Sequence, residues 1–405
     1  MAAGRGPLRI FIGTVEIAGQ IEALGAGFRA LGHHVTTAVT RRNPFYPDAA
    51  YDLVLDAGPA SRSNGLGRRI GQARVRVPLL RALRGHDVYV VLFGDSALPA
   101  NLDFPVLARG ERRIASLFLG SEIRHWSAAE QARAAAGLAS YPGYREARSL
   151  DRALTALRMA ELYAAARFFQ PSYAELAMAP YQHLYLALDL ERYECRIPDR
   201  EVPVVVHAPS SRQVKGTAEI LEHLEALRTD GIAFELRLLE GVPNREVLRE
   251  LAHADVVVDE LNESNYGMLS LEAMASGCAV AAGNRPDVVP LPPDRPVVHI
   301  SPEVVRETLR RLLTDRAHRT ELAAAGRPFV ERHHSHVNVA SGLLEGIERA
   351  GAGDHDYHPR FFVDDYQPPD GLRPSWFTRW LNRRVAARIR LPEADAARLR
   401  TRGLI

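Results

Sequence analysis

Lys215 is the only lysine in a chain of 405 residues that also contains fifty arginines. It lies in the stretch SSRQVKGT, residues 210–217. An ammonium group is a compact point charge on a flexible stem, whereas a guanidinium group is a flat fork. A lone lysine among arginines therefore indicates a place where an anion is held at close range. The alternative is an ordinary surface lysine.

The loop around Lys215 has the parts of a phosphate site. It follows a predicted strand and opens onto a predicted helix, whose first N–H groups and positive dipole end attract anions. Ser210, Ser211, Arg212 and the backbone at Gly216 would add donors and charge. The sequence thus predicts a diphosphate receptor, although not a Walker loop, because the spacing G-x-x-x-x-G-K-[ST] is absent.

A second stretch, ESNYGMLSLEAMASGCAV, covers residues 263–280. Its Asn-Tyr-Gly turn lies between a predicted strand and helix, so the amides of Gly267, Met268 and Leu269 are expected in the same cleft as Lys215. Glu272 falls within an otherwise apolar helix. A buried carboxylate needs hydrogen-bond donors, which bound sugar hydroxyls would supply. Alternatively, Glu272 interacts only with the dipole of its own helix.

The elements that position these stretches alternate between strands and helices, which predicts an α/β protein with parallel sheets. The alternation restarts after a polar join at 192–203, so we expect two Rossmann-like domains that face each other across a cleft. Strands are predicted at 8–13, 34–39, 52–57, 87–93, 114–120, 203–209, 234–241, 255–261 and 278–283, and helices at 19–32, 217–231, 244–254, 267–277 and within 302–349.

Composition narrows the class of protein. The chain has 51 basic and 49 acidic residues, so its net charge of +2 gives no field that would attract nucleic acid. Cys195 and Cys278 lie far apart and match no metal or disulfide pattern, which favours a reducing cytoplasm. We find no signal-peptide pattern and no run of eighteen apolar residues, so neither export by that route nor a membrane span is expected.

The stretches HAPSSRQVKGT and NYGMLSLEAMASGCAV resemble the second domain of GT-B-fold, family-4-like (group 1) glycosyltransferases. The resemblance implies a nucleotide diphosphate-sugar donor held in the downstream domain, with Lys215 and Arg212 on the diphosphate and Glu272 on the ribose hydroxyls. It also implies that Asn265, Tyr266, Gly267, Met268 and Leu269 face the donor sugar and phosphate. Transfer would retain the anomeric configuration, and no metal or other cofactor is expected.

The upstream half carries a weaker version of the same resemblance. Gly19, with Ala18, is similar to the family's glycine-bearing loop near the donor phosphates and the acceptor. The stretch LFLGSEIRHW, residues 117–126, is similar to H-G-S-D-x-R of some relatives. Glu122 and Arg124 are therefore expected on the acceptor side or between the domains. The alternative is a local ion pair at a strand end.

Three departures from the family pattern leave the activity open. Leu119 stands in place of the histidine, and Ser264 stands in place of the first glutamate, with Glu263, the candidate catalytic carboxylate, displaced by one position. Arg212 lies three residues before Lys215, whereas family members commonly place it five before. A nucleotide-sugar epimerase on the same fold and a non-catalytic relative that binds a nucleotide or a partner therefore remain alternatives.

We divide the chain into a first domain at 1–195, a second at 196–350 and a tail at 351–405. Residues 354–371 are predicted to be an extended segment on the surface. From Arg373 onward the tail holds nine arginines, with Trp376, Phe377 and Trp380 at its start. Such a helix could lie on an anionic membrane. The favoured alternative is that the tryptophans dock the tail back on a domain, because large apolar groups usually find a core.

Heavy use of Arg and Ala is associated with bacteria of high G+C content and suggests a glycan or natural-product pathway.

Overall fold

A computed structural model describes residues 6–55, 75–138, 149–197 and 199–405. The first half forms one sheet of seven parallel strands in the order β3-β2-β1-β4-β5-β6-β7. Its strands are β1 (Arg9–Thr14), β2 (His34–Val39), β3 (Leu53–Val54), β4 (Val88–Leu92), β5 (Arg113–Leu117), β6 (Ala166–Phe169) and β7 (Gln182–His183).

The second half forms a sheet of five parallel strands in the order β12-β11-β10-β8-β9. Its strands are β8 (Val204–His207), β9 (Glu235–Leu238), β10 (Val256–Val258), β11 (Ala279–Ala282) and β12 (Val297–His299). In parallel sheets the loops that follow the strands gather at one edge, which is where ligands bind in such folds.

Helices connect the strands and continue into the tail. In chain order they are α1 (Gln20–Ala30), α2 (residues 75–82), α3 (Phe104–Leu107), α4 (Trp126–Ala135), α5 (Leu150–Tyr163), α6 (Arg212–Lys215), α7 (Thr217–Thr229), α8 (Asn244–Leu251), α9 (Met268–Ser276), α10 (Val305–Thr314), α11 (Arg316–His334), α12 (His336–Gly351), α13 (Phe361–Asp364), α14 (Trp376–Arg388) and α15 (Glu393–Thr401).

The central strands are apolar on both faces because helices cover both sides of each sheet. In β4 every residue is buried, and the side chains alternate between two cores: Tyr89 and Val91 join one, and Val88, Val90 and Leu92 join the other. This period of two is the geometry of a strand, and burial on both faces is typical of a parallel sheet. The predicted α/β architecture with parallel sheets is therefore confirmed.

The helices and strands of the second half agree with the predicted ones to within a few residues. In the first half the sequence missed α2, α3, α4, α5, β6 and β7, and in the second it missed α6 and β12. β6 has only four residues and includes the charged Arg167, while β12 has three, so neither gives a clear periodic signal. Residues 56 and 57 of the strand predicted at 52–57 lie outside the described residues.

The tail packs on the first sheet. Leu343 and Ile347 of α12 already lie in a core with β1 and β4, so the chain returns to the first sheet before residue 351, where we placed the boundary. The expectation of an extended surface segment at 354–371 is wrong in part, because Phe362 and Tyr366 are completely buried. The favoured docking of the tail through its tryptophans is also wrong. α14 docks through Leu381 and Val385, which lie on its other face.

A buried arginine joins the tail to the first domain. The guanidinium group of Arg158 is fully enclosed and donates to Glu161 Oε2 at 2.6 Å, to the carbonyl of Leu176 at 2.7 Å and to Asn382 Oδ1 of α14 at 2.6 Å. It also lies 4.7 Å from the ring centroid of Phe362. A buried charge is costly unless all of its hydrogen-bond partners are present. This network therefore stabilises one position of the tail on the first domain.

We expect Arg158→Ala to lower the free energy of unfolding by about 3–5 kcal/mol, because Glu161 would remain as a buried, uncompensated charge. Urea unfolding followed by circular dichroism measures this change. Arg152→Ala is the matched control on the same helix, since Arg152 forms a partly exposed ion pair with Asp95 that should be worth about 1 kcal/mol or less. Equal losses for the two variants would contradict this role of Arg158.

Candidate functional site

A cavity of about 370 Å³ lies between the two sheets, at the loops that follow their strands. Ile17 and Ala18 from the loop after β1, and Asn43, Phe45 and Tyr46 from the loop after β2, form its first wall. The opposite wall belongs to the second half and includes Ser210, Lys215, Leu239, Val242, Asn244, Val247, Met268, Leu269 and Glu272. The two stretches singled out in the sequence thus meet in one cavity.

Lys215 is held between two carboxylates on the wall of this cavity. Its Nζ lies 2.7 Å from Oδ1 of Asp259 and 2.8 Å from Oε2 of Glu260. Burial alone would lower the pKa of Lys215, but the two carboxylates outweigh burial and raise it, so the side chain is an ammonium ion. Asp259 and Glu260 lie near the end of the strand predicted at 255–261, and their contact with the lysine was not predicted from the sequence.

The two carboxylates differ in their charge state. Burial would raise the pKa of Asp259, but Lys215 and Ser270 more than compensate and hold it below its ordinary value. Ser270 donates to Asp259 through both its amide, at 3.2 Å, and its hydroxyl, at 2.6 Å. For Glu260, burial dominates and, despite Lys215, raises the pKa to about 7. Near neutral pH, Asp259 is therefore charged, whereas Glu260 is partly protonated.

Gly267 brings the start of α9 against this group. A Cβ atom at this position would lie 3.2 Å from Oε1 of Glu260 and 3.7 Å from Nζ of Lys215. Any side chain here would therefore fill the space beside the ammonium group. The first amides of a helix have no acceptor within that helix, so α9 presents its positive end at the lysine.

Glu272 lies deeper in the same wall, one helical turn further along α9. Its Oε1 accepts from Asn244 Nδ2 at 2.9 Å and lies 3.5 Å from the Tyr193 hydroxyl. Burial raises the pKa of Glu272 to about 7, although Asn244 opposes this rise. The carboxylate therefore lines the cavity with one firm hydrogen bond from the protein and room for further donors.

Arg212 does not join Lys215. Its guanidinium group is half-exposed, its Nη1 atom donates to both carboxylate oxygens of Glu240, at 2.7 and 2.8 Å, and it is not part of the cavity wall. Arg212 begins the single helical turn that ends at Lys215, but its side chain reaches Glu240, just beyond the end of β9. Ser211 precedes this turn without a capping hydrogen bond from its side chain, and Gly216 follows it with a left-handed φ of 70°.

Arg124 and Glu263 join the two halves beside a second cavity of about 250 Å³. Their ion pair measures 2.7 Å and is mostly buried, and Arg124 lies 4.9 Å from the ring centroid of Tyr173. Ser264 and Glu175 line the same cavity. Burial raises the pKa of Glu175 to about 7, although Arg124 opposes this rise. Glu263, the candidate catalytic carboxylate, thus faces the second cavity and not the one that contains Lys215.

The remaining predicted residues have structural contacts. Asn265 donates to Gln170 Oε1 of the first half at 2.6 Å, and Tyr266 packs in the core against Phe329. Gly19 precedes α1 with a left-handed φ of 73° and touches Tyr46. Glu122 is completely buried and accepts from the amide of Leu119. None of these four lines the cavity that contains Lys215.

Sequence reasoning missed the contribution of the first half to this cavity. Asn43, Phe45 and Tyr46 follow β2 in the stretch RRNPFYPD, which reads as an ordinary polar turn. Among the described residues, no group of three or more His, Cys, Asp or Glu is arranged to hold a metal ion. In the same part of the chain, no helix has the length and apolar character needed to cross a bilayer.

Comparison with solved structures identifies the architecture. Sucrose-phosphate synthase from Thermosynechococcus elongatus superposes with a TM-score of 0.56 at 13% identity, covering 86% of this chain and all of that one. HepE of Anabaena, solved in complex with UDP-glucose, gives 0.53 at 10% identity, covering 84% and 99%. The chain has the GT-B fold of glycosyltransferases. The fold predicted from the sequence is therefore confirmed.

Sequence comparison supports the same family in the second half. Residues 212–345 match the family described as glycosyl transferase-like. The D-inositol 3-phosphate glycosyltransferase of Corynebacterium diphtheriae is 39% identical over 89 residues, which are 22% of this chain and 20% of that enzyme. This GT-B chain thus spans about a fifth of the length of that curated relative. The resemblance to group 1 glycosyltransferases is confirmed over this region.

Glu272 should make the stability of this GT-B protein depend on pH. Its folded pKa of about 7 is above the ordinary 4.5, so the folded state loses stability as the pH rises through this interval. We expect Glu272→Gln to raise the free energy of unfolding by about 1–3 kcal/mol near pH 8 and by much less near pH 5. Urea unfolding at both pH values measures the difference.

The control for this experiment is Glu222→Gln, which changes an exposed carboxylate on α7 and should have little effect at either pH. If Glu272→Gln changed stability equally at the two pH values, the change would come from packing and not from the buried charge.

Proposed function

We propose that this protein is a glycosyltransferase that moves a sugar from a nucleotide diphosphate donor to an acceptor. The observation that carries the proposal is the position of Lys215 on the cavity wall, beside the first turn of α9. A diphosphate placed there would meet an ammonium ion and a helix N-terminus together. The GT-B fold supports the same assignment, and HepE, which shares the fold, binds a nucleotide sugar.

The rest of the cavity fits the other parts of such a donor. Leu239, Val242 and Val247 offer an apolar surface for a base, and Phe45 and Tyr46 face them from the first half. Glu272 would accept hydrogen bonds from the ribose hydroxyls, because its carboxylate lines the same cavity as the apolar surface and Lys215. Bound hydroxyl groups would replace part of the hydration that burial removes. The identity of the base is left to experiment.

The proposed chemistry is departure of the nucleoside diphosphate with retention at the anomeric carbon. Lys215 and the amides at the start of α9 would stabilise the negative charge that grows on the leaving group, so the reaction would proceed without a divalent cation. The second cavity, lined by Arg124, Glu175 and Glu263, would receive the acceptor. Closure of the two halves would exclude water and limit hydrolysis of the donor.

A panel of nucleotide sugars tests the activity. We expect release of free nucleoside diphosphate when a suitable acceptor from a sugar and polyol panel is present, and no loss of activity when EDTA is added. Chromatography of nucleotides and sugars measures both. Conversion of the donor into an epimer without an acceptor would identify an epimerase instead. Binding without turnover on any donor would identify a non-catalytic relative.

Three substitutions test the diphosphate site by calorimetric titration with nucleoside diphosphates and the corresponding nucleosides. Lys215→Ala should weaken diphosphate binding about tenfold or more, because a hydrogen bond to a charged group is worth roughly 1.5–3 kcal/mol. Nucleoside binding should change much less. Glu260→Gln should strengthen diphosphate binding, since it removes a carboxylate that competes for the ammonium group and repels phosphate.

Arg212→Ala is the matched control, because Arg212 lies in the same loop but pairs with Glu240. It should leave diphosphate binding nearly unchanged. Melting temperatures of all variants exclude a general loss of folding. An equal loss of diphosphate and nucleoside affinity in Lys215→Ala would contradict the assignment, as would a larger effect of Arg212→Ala.

A further inference from the structure

The exposed face of α14 combines aromatic side chains with unpaired positive charge. Trp376 is 72% exposed and Trp380 is 39% exposed, which is unusual for the largest apolar side chain. Phe377 stacks against Trp380 with ring centroids 5.9 Å apart. These rings form a continuous aromatic patch at the start of the helix, while the opposite face of α14 is buried against the first domain.

The arginines on this face have no acidic partner in the part of the chain that the structure describes. Residues 371–392 contain six arginines and no acidic residue. Elsewhere on the surface arginines commonly form ion pairs, as Arg228 does with Glu225 and Arg306 with Asp230. Among the described residues, none of the six arginines forms such a pair, and the ion pairs of the tail are made by other arginines instead.

Two of these arginines also shape a surface groove. Arg384 and Arg388 line a depression of about 320 Å³ together with Leu162 and Tyr163 of α5. Arg384 lies 5.4 Å from the ring centroid of Trp380, so the groove is continuous with the aromatic patch. An anionic group in this groove would meet two guanidinium groups over an apolar floor.

We propose that this face of α14, made by Trp376, Trp380, Arg383, Arg384 and Arg388, binds the surface of a bilayer that contains anionic phospholipids. Tryptophan is favoured at the boundary between headgroups and acyl chains, because its ring is largely apolar and its N–H remains hydrated. Arginines on the same face would contact the lipid phosphates. A nucleic acid duplex would satisfy the arginines but would leave the two tryptophan rings in water, because its bases are stacked inside the double helix.

Sedimentation of the full chain with vesicles tests the proposal. We expect binding to phosphatidylglycerol vesicles, little binding to phosphatidylcholine vesicles, and a loss of binding as salt is added. Arg383→Gln, Arg384→Gln and Arg388→Gln combined should lower the partition coefficient on the order of a hundredfold, since each arginine near the surface contributes about fivefold. Trp376→Ala with Trp380→Ala should lower it as well and should abolish the blue shift of tryptophan fluorescence on binding.

The matched control neutralises three exposed arginines of the second half, Arg228→Gln, Arg306→Gln and Arg316→Gln, which changes the net charge equally. This variant should bind vesicles as the unmodified protein does. The proposal would be overturned by a lack of binding to anionic vesicles or by an equal loss in the control variant. It would also be overturned if the tryptophan substitutions had no effect while the arginine face bound duplex DNA as strongly as vesicles. Circular dichroism melting verifies that each variant is folded.

Discussion

The ammonium group of Lys215 between Asp259 and Glu260 is the interaction on which the arrangement of the cleft depends. An isolated ammonium group could not be kept in a site this poorly hydrated, and the two carboxylates provide the compensation. Asp259 in turn accepts from Ser270 in the first turn of α9. One charge network thus ties the loop after β8, the end of β10 and the start of α9 into a single wall.

This network also limits how strongly the wall can attract an anion. With Asp259 charged and Glu260 near its pKa, the local charge in the empty site is close to zero or slightly negative. A bound diphosphate must therefore compete with the carboxylates for the lysine, and protonation of Glu260 would favour the ligand. Lysine suits such an exchange because its three N–H donors can be shared among several acceptors. A guanidinium group is less suited to such an exchange, because its donors are fixed in a planar fork.

Features that depend on neighbouring residues could be predicted from the sequence, whereas contacts between residues far apart in the chain could not. The alternation of strands and helices predicted nine of the twelve described strands, because each of these apolar runs is local and matches the period of its element. Lys215 and Glu272 were also found locally, from a unique residue type and from a charge in an apolar helix. The partners of Lys215 were not found, since Asp259 is 44 positions away and only the neighbouring strands bring it close. Phe45 and Tyr46 were missed for the same reason. Arg212 was misplaced because it pairs with Glu240, which is 28 positions away and is brought close only by the fold.

In the tail, the sequence pattern identified an amphipathic helix but not which of its faces packs on the first domain. Aromatic residues at the start of α14 suggested docking through the tryptophans, but the helix buries Leu381 and Val385, and its contact with Arg158 through Asn382 fixes that rotation. The tryptophans and arginines must then face outward. Because α14 packs on α5 of the first sheet, a bilayer bound there would hold only that half. The second half, which carries Lys215, would remain free to close over a donor, and the cleft could work while the protein stays at the surface.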